Sequence, residues 1–338
     1  MTDKSYYLFN PGRLSRTDQT LKFTPVDAQG VEGPAKYLPV EGVSNLYVFG
    51  SLDANSALYN FLGKQQISVH FFDYYEHYTG SFYPKEYLLA GKMQVEQTRA
   101  YLSAGKRLHI ARAFVEGGSF NMVKNLKYYQ NRGKEAQLSG LINDIERHRS
   151  QMPLVKNVPE LMGLEGNSRQ LYYAAFEHIV QDFEMGNRVK NPPSNELNAL
   201  ISFGNAICYT QCLDAIYHTQ LNPTISFLHE PGARRYSLAL DLAEIFKPVL
   251  VDRTIFSLTN KKMIQSKHFD TSTRGCTLTD VGRKIFLKAM EERLDETIQH
   301  RVLQKKVSYK YLIRLECYKL TKYILGMEPE YKPFKIWW

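Results

Sequence analysis

The hydrophobic pattern changes character once along the chain. Up to about residue 83 the apolar positions fall in short β-rich runs, 6–9, 20–23, 37–40, 46–49 and 67–72, separated by turn formers such as Asn10-Pro11-Gly12, Thr24-Pro25 and Gly50. Runs of this length and spacing predict strands. Between the last two, residues 55–62 can cap and build one helix. In the tract that closes the region, Gly80 and Pro84 are expected to interrupt any regular element. Beyond Lys85 the apolar residues recur at three- and four-residue spacing over 86–104, 106–132, 134–149, 168–187, 195–219, 280–304 and 308–325, which predicts amphipathic helices. Breaks are expected at Gly133, Pro153, Pro159, Asn191-Pro192-Pro193, Asn222-Pro223, Pro231-Gly232, Pro248 and Gly275. The fold class is therefore α+β, with a small N-terminal β-rich domain over 1–85 followed by a larger all-helical domain over 86–338.

Composition narrows the picture. With 43% hydrophobic and 23% charged residues in 338 the chain is globular, which excludes a disordered tail, a collagen and a coiled-coil rod. Lys and Arg outnumber Asp and Glu by 43 to 34, and the resulting +9 favours a polyanionic partner such as nucleic acid. Four cysteines, none in a C-x-x-C pair, argue against a disulfide scaffold and a zinc ribbon. Residues 1–7 are polar, unlike a signal peptide, so a cytoplasmic protein is expected. The most apolar long stretch, 197–217, carries Asn198, Asn205, Gln211 and Asp214, which marks a buried helix rather than a membrane span.

The common phosphate-loop, dinucleotide, nucleophile-elbow and H-E-x-x-H signatures are missing. What remains is a set of carboxylates and one histidine: Glu165, His229, Asp241 and Glu244. Mixed oxygen and nitrogen donors suit Mg²⁺ or Mn²⁺. On a helix, Asp241 and Glu244 lie roughly 60° apart at about 100° per residue, beside the apolar ridge of Leu238, Leu242 and Ile245. That spacing fits two acids on a working face, and equally two acids on the solvated flank of a core helix. Glu165 sits between Gly163 and Gly166, a pattern that reads as a loop or helix start with Asn167 or Ser168 as the cap.

Longer motifs decide more than spacing. Gly163-Leu164-Glu165-Gly166-Asn167-Ser168-Arg169 with Leu171-Tyr172-Tyr173, the proline step 188–193 leading into 196–204, Leu221-Asn222-Pro223 with Leu228-His229, and the run 237–248 occur in order. Together they resemble the CRISPR-associated adaptation integrase family, which inserts new spacers into CRISPR arrays. The likeness extends to Asn10-Pro11-Gly12-Arg13-Leu14-Ser15-Arg16, to residues 39–43 and to residues 78–84, so that essentially the whole chain is covered. It implies an N-terminal β-domain joined to a helical catalytic domain. Position by position it implies that Glu165, His229 and Glu244 are metal ligands, with Asp241 as a neighbouring acid of the site. It also implies a homodimer that assembles with a small ferredoxin-like second adaptation protein and acts on double-stranded and branched DNA, with no membrane involved.

Positive charge is available for such a substrate. Arg301, Lys305, Lys306, Lys310 and Arg314 alternate with Tyr309 and Tyr311, a mixture able to neutralise phosphates and stack on frayed bases, or simply to form a solvated helix face. A second group, Lys106, Arg107, Arg112, Lys124, Lys127 and Arg132, carries the same two readings. Arg169, four residues after Glu165, can meet a phosphate or pair with a carboxylate. The expected activity is metal-dependent DNA endonuclease and integrase chemistry. The alternatives are a non-catalytic dimeric DNA-binding scaffold and a metal-dependent RNA nuclease, since no motif here reads a 2′-hydroxyl.

Overall fold

The computed structural model describes residues 4–73, 75–85, 90–190, 192–232, 236–271 and 275–337. The chain divides into two compact units, Met1–Tyr87 and Leu88–Trp338. In the first, strands β1 (Lys4–Leu8), β2 (Gly12–Thr17), β3 (Thr20–Pro25), β4 (Lys36–Pro39), β5 (Val43–Val48) and β6 (Leu52–Asp53) precede helix α1 (Ser56–Lys64), then β7 (Ser68–Phe72) and β8 (Tyr78–Phe82). They form two four-stranded sheets, β1-β5-β7-β8 and β4-β3-β2-β6. Alternation sends Leu46, Val48 and Val69 from one sheet and Leu14, Leu21 and Phe23 from the other into a single core, closed by Leu58 and Leu62 of α1. Asn55 caps α1 by accepting the Leu58 amide at 3.0 Å.

Contrary to the sequence expectation, Gly80 does not interrupt the chain. It lies inside β8, opposite Phe71 of β7, at the edge of the sheet, where antiparallel main-chain pairing outweighs glycine's low strand propensity. The His70 side chain of β7 is buried and hydrogen-bonded to Ser81 Oγ at 2.7 Å, tying β7 to β8.

The second unit contains α2 (Gly91–Leu102), α3 (Ala104–Tyr129), α4 (Glu135–Gln151), α5 (Val158–Ala174), α6 (Phe176–Ile179), α7 (Glu196–Tyr217), α8 (Ser237–Lys247), α9 (Arg253–Asn260), the short ladder β9 (Phe269–Asp270) with β10 (Thr277–Leu278), α10 (Asp280–Asp295), β11 (Thr297–His300), β12 (Lys305–Ser308) and α11 (Tyr309–Ile324). The apolar helix α7 is buried along most of its length, as its uniformly hydrophobic sequence requires. Cys208 and Cys212 are buried within it as free thiols. A Cβ on Gly118 of α3 would lie 2.7 Å from the Glu244 carbonyl, so only glycine lets α3 approach α8 this closely. No helix among the described residues is long and apolar enough to cross a membrane.

Three expectations for this unit are corrected. The helix expected over 168–187 begins at Val158 and ends at Ala174, because Asn157 accepts the Glu160 amide at 2.9 Å and Pro159 sits in the first turn, where its missing N–H is harmless. Glu165 is therefore in a helix interior, and neither Asn167 nor Ser168 is a cap. Pro248 does not stop α8. The helix widens there into a π-helical turn, Pro248–Asp252, and continues into α9. The helix expected over 280–304 stops at Asp295, and 297–308 form an antiparallel hairpin pairing Thr297 with Ser308 and His300 with Lys305. His300 Nδ1 accepts the Val302 and Leu303 amides in its turn, and Gln304 takes a positive φ of 51°. The start of the helix expected at 86 and Asn191 of the proline step lie outside the described residues.

Candidate active site

Asp241 and Glu244, one turn apart on α8, take different surroundings. Nearly the whole of α8 is buried, so neither acid occupies a solvated flank. Asp241 is fully enclosed. Its Oδ2 accepts the amides of Phe227 and Leu228 at 2.7 and 3.0 Å, while Oδ1 accepts the amide of His229 at 3.0 Å and lies 2.8 Å from His229 Nδ1. An ionised carboxylate only accepts, so Nδ1 carries the proton and Nε2 keeps its lone pair. Burial lowers the imidazole's affinity for a second proton, but the bond to Asp241 and its charge outweigh this and raise the His229 pKa. Asp241 is thus the anchor of the histidine loop and the residue that fixes the imidazole's tautomer.

Two residues that sequence reading did not connect to the site complete this anchor. Gln97 of α2 is buried, donates to the carbonyls of Asn222 and Ile225 at 2.9 and 2.8 Å, and accepts the Asn222 amide at 2.9 Å. Arg107 of α3 donates to the Phe227 carbonyl at 3.0 Å and pairs with Glu230 at 2.5 Å. Nothing local announces either contact, since the partners are more than a hundred residues apart.

Glu244 faces a cavity of about 940 Å³ whose lining includes Glu165, Arg169, His229, Lys247, Tyr173 and Arg188. Arg169, one turn beyond Glu165 on α5, donates to Glu165 Oε1 at 3.0 Å and bonds Glu244 Oε2 through Nη2. Lys247 Nζ holds the other Glu244 oxygen, Oε1, at 2.6 Å. Burial pushes the Glu244 carboxyl up, yet Arg169 and Lys247 overcome it and bring the pKa to about 2. The Arg169 guanidinium is held well above its usual range, burial being outweighed by Glu244 and Glu165. Of the two roles open to Arg169 from sequence, carboxylate pairing is the one this geometry shows. Asp252 is buried too, and its carboxyl is raised to about 7 by desolvation despite the charge of Arg169 and a hydrogen bond with Tyr172. Lys247 could have been found from sequence by its three-residue spacing from Glu244, whereas Asp252 lies beyond Pro248, where the helix was expected to stop.

Glu165, His229 and Glu244, distant in sequence, therefore line one cavity. Two carboxylates and one imidazole nitrogen are a donor set that suits Mg²⁺ or Mn²⁺. As the side chains stand, no three His, Cys, Asp or Glu among the described residues form a metal-holding group; Arg169 pairs with Glu165 Oε1 and Glu244 Oε2, and Lys247 with Glu244 Oε1.

The two basic clusters separate. Arg107 and Arg112 are spent on structure, Arg112 donating to the carbonyls of Met152 and Val155 at 2.8 and 3.1 Å. Lys127 pairs with Glu146, and Lys124 and Arg132 lie over the rings of Phe120 and Tyr128. Arg301, Lys305 and Lys306 are exposed on the β11–β12 hairpin, Arg301 over the ring of Trp337 and Lys305 over that of Tyr311, with Lys310 and Arg314 following on α11.

Residues 6–292 match the model of the family described as CRISPR associated protein Cas1. The CRISPR-associated endonuclease Cas1 2 of Moorella thermoacetica is 47% identical over 335 residues, covering 99% of this chain and 100% of that protein. The CRISPR-associated endonuclease Cas1 of Fusobacterium nucleatum is 45% identical over 336 residues, covering 99% and 97%. The solved structure of a CAS1 protein from Thermotoga maritima superposes with a TM-score of 0.85 at 38% identity, covering 98% of this chain and 100% of that one. The family model spans most of the chain and the relatives cover nearly all of it, β-rich and helical units together, and on that ground this chain belongs to the Cas1 family of CRISPR-associated proteins.

Proposed function

We propose that this protein is a divalent-metal-dependent DNA endonuclease and strand-transferase that inserts spacer DNA into CRISPR arrays by attack of a 3′-hydroxyl on a phosphodiester. The observation that carries this reading is the convergence of Glu165, His229 and Glu244 on one cavity from three separate parts of the chain. Names of relatives that describe endonucleases support it. Glu165, Glu244 and His229 Nε2 would hold Mg²⁺ or Mn²⁺. When bound, the cation polarises the phosphoryl oxygen and offsets charge on the attacking or leaving oxygen.

The chain's own contribution is orientation and charge. Asp241 keeps the proton on His229 Nδ1, so the imidazole presents Nε2. Lys247, Arg188 and Lys190 line the cavity and give it a positive field suited to a phosphodiester. Hydrolytic nicking uses water in place of the 3′-hydroxyl, so one site serves both reactions. Arg301, Lys305, Lys306, Lys310 and Arg314 supply a face for the DNA backbone, Arg169 acting inside the site instead. The working form is a homodimer with a small ferredoxin-like second adaptation protein.

The test is strand transfer and nicking on labelled branched and repeat-containing DNA with Mn²⁺, Mg²⁺ or EDTA, in parallel with DNA binding. Product is expected to require metal and to fall by about a hundredfold or more in Glu165→Ala, His229→Ala and Glu244→Ala, with DNA binding retained. A native protein that binds DNA yet gives no product, even with its small partner and metal, would make it a non-catalytic scaffold.

A further inference from the structure

Glu165 and Glu244 already share a cation of the protein's own. The Arg169 guanidinium bridges them, one arm on each, and it is enclosed, its side chain only 14% exposed. Its third nitrogen, Nη1, is buried without a hydrogen-bond partner. Close by, Asp252 on the π-helical turn after α8 is 1% exposed, and its Oδ2 is likewise buried without a partner. The Asp252 carboxyl hydrogen-bonds the side chain of Tyr172, which lies three residues beyond Arg169 on α5 and so places Asp252 against that helix. Buried donors and acceptors are ordinarily satisfied, so an unpaired donor and an unpaired acceptor beside the same site point to a second arrangement in which they meet. Two positive groups between the same two carboxylates repel each other, so a divalent cation drawn to Glu165 and Glu244 competes with the guanidinium for Glu165 Oε1 and Glu244 Oε2.

We infer that Arg169 is a built-in counter-cation that competes with the divalent metal for Glu165 and Glu244, and that Asp252 is the acceptor that receives the guanidinium when the metal enters. The inference rests on the metal-centre reading given above and adds a control to it. The exchange leaves neither the guanidinium nor the two carboxylates without a counter-charge: carboxylates with guanidinium in one arrangement, carboxylates with metal and guanidinium with Asp252 in the other. Arg169 is thereby a positioning residue that sets how much free metal the site demands.

The competition has a sign that a merely structural arginine does not share. Mn²⁺ binding is measured on the full chain by calorimetry and electron paramagnetic resonance, with thermal melting in EDTA as the check on folding. Arg169→Gln is expected to bind Mn²⁺ about tenfold or more tightly than the native protein, because the competitor is gone. Arg169→Lys keeps a charge for the fold but cannot span both carboxylates as a fork, and is expected to fall between the two. Asp252→Asn is expected to weaken Mn²⁺ binding by roughly threefold to tenfold in the native background and to have no effect once Arg169 is Gln. Weaker or unchanged binding in both Arg169 variants overturns the competition. An Asp252→Asn effect of equal size in both backgrounds makes Asp252 a general negative charge and removes its role as acceptor. Loss of Mn²⁺ binding in Glu165→Ala, together with an Arg169→Gln protein that binds no tighter, leaves the metal centre standing and sinks only the competition. Failure of both the native protein and Arg169→Gln to bind Mn²⁺ sinks the metal centre itself, and the inference with it.

Discussion

On one wall of the cavity His229 is fixed by hydrogen bonds between side chains and main chain, from Asp241, Gln97 and Arg107 to the loop 222–230. On the other, Glu165 and Glu244 are held by the side chains of Arg169 and Lys247. Main-chain amides and carbonyls in a closed loop have one set of partners and nowhere else to go, so the first wall is built in advance. Ion pairs between long side chains can exchange partners without unfolding anything, so the second wall can change occupant. On the proposed function, a site that takes up a cation gains from having one rigid donor, His229, and two donors whose counter-ions can move.

The largest effect that separates the walls is Asp241→Ala. It strips acceptors from the amides of Phe227, Leu228 and His229 and from His229 Nδ1, all within a buried region. Each orphaned donor costs about 1–3 kcal/mol, so a total loss of about 4 kcal/mol or more is expected in denaturant melts, together with loss of strand transfer. An Asp241→Ala protein as stable as the native one would mean that the loop is held by something other than this anchor.

Acid addresses the opposite wall, with an effect on the order of 3 kcal/mol. The folded-state carboxyl of Glu244 sits at about 2, below its ordinary 4.5. The stability it contributes is therefore fully present above pH 4.5 and is lost as the pH falls towards 2. Melting temperature should decline through that window in the native protein, and the part of the decline due to this group should be missing in Glu244→Gln. An identical acid profile for the two proteins would show that Arg169 and Lys247 do not hold Glu244 charged.

How much of this was legible from sequence follows the same division. The strand runs at 20–23 and 67–72 and the helix capped by Asn55 were readable because period and cap are local. β2 was not, since Leu14 is its one large apolar side chain and the rest of its sequence is glycine, charge and hydroxyl. The end of α10 was missed because the charged pattern continues past Asp295, while pairing of Thr297 with Ser308 decides the structure. For the site, spacing left Asp241 and Glu244 equivalent, one turn apart, and only family-length motifs singled out the set. Their division into an anchor and a cavity-facing acid comes from the loop 227–229, which lies across Asp241 alone. Gln97 and Asp252 left no trace, because a polar residue in an amphipathic helix is ordinary until its distant partner is known.

The contrast between fixed and free groups reaches the surface, where it should produce the smallest effect. Arg112 spends its guanidinium on the carbonyls of Met152 and Val155, whereas Lys305 and Lys306 extend from an exposed strand, Lys305 lying 6.0 Å from the ring of Tyr311. A cation already used inside the protein cannot release counterions from DNA, and a solvated one can. If the hairpin lies on the DNA backbone, Lys305→Ala with Lys306→Ala should lower the slope of log affinity against log salt by about 2, close to one unit for each phosphate contact, without changing the melting temperature. Arg112→Ala should do the reverse, lowering stability by about 1–3 kcal/mol and leaving the salt slope as it was. Equal salt slopes in the native and hairpin proteins would move the DNA off this face, and a shallower slope in Arg112→Ala would mean that charge on α3 is not spent on structure after all.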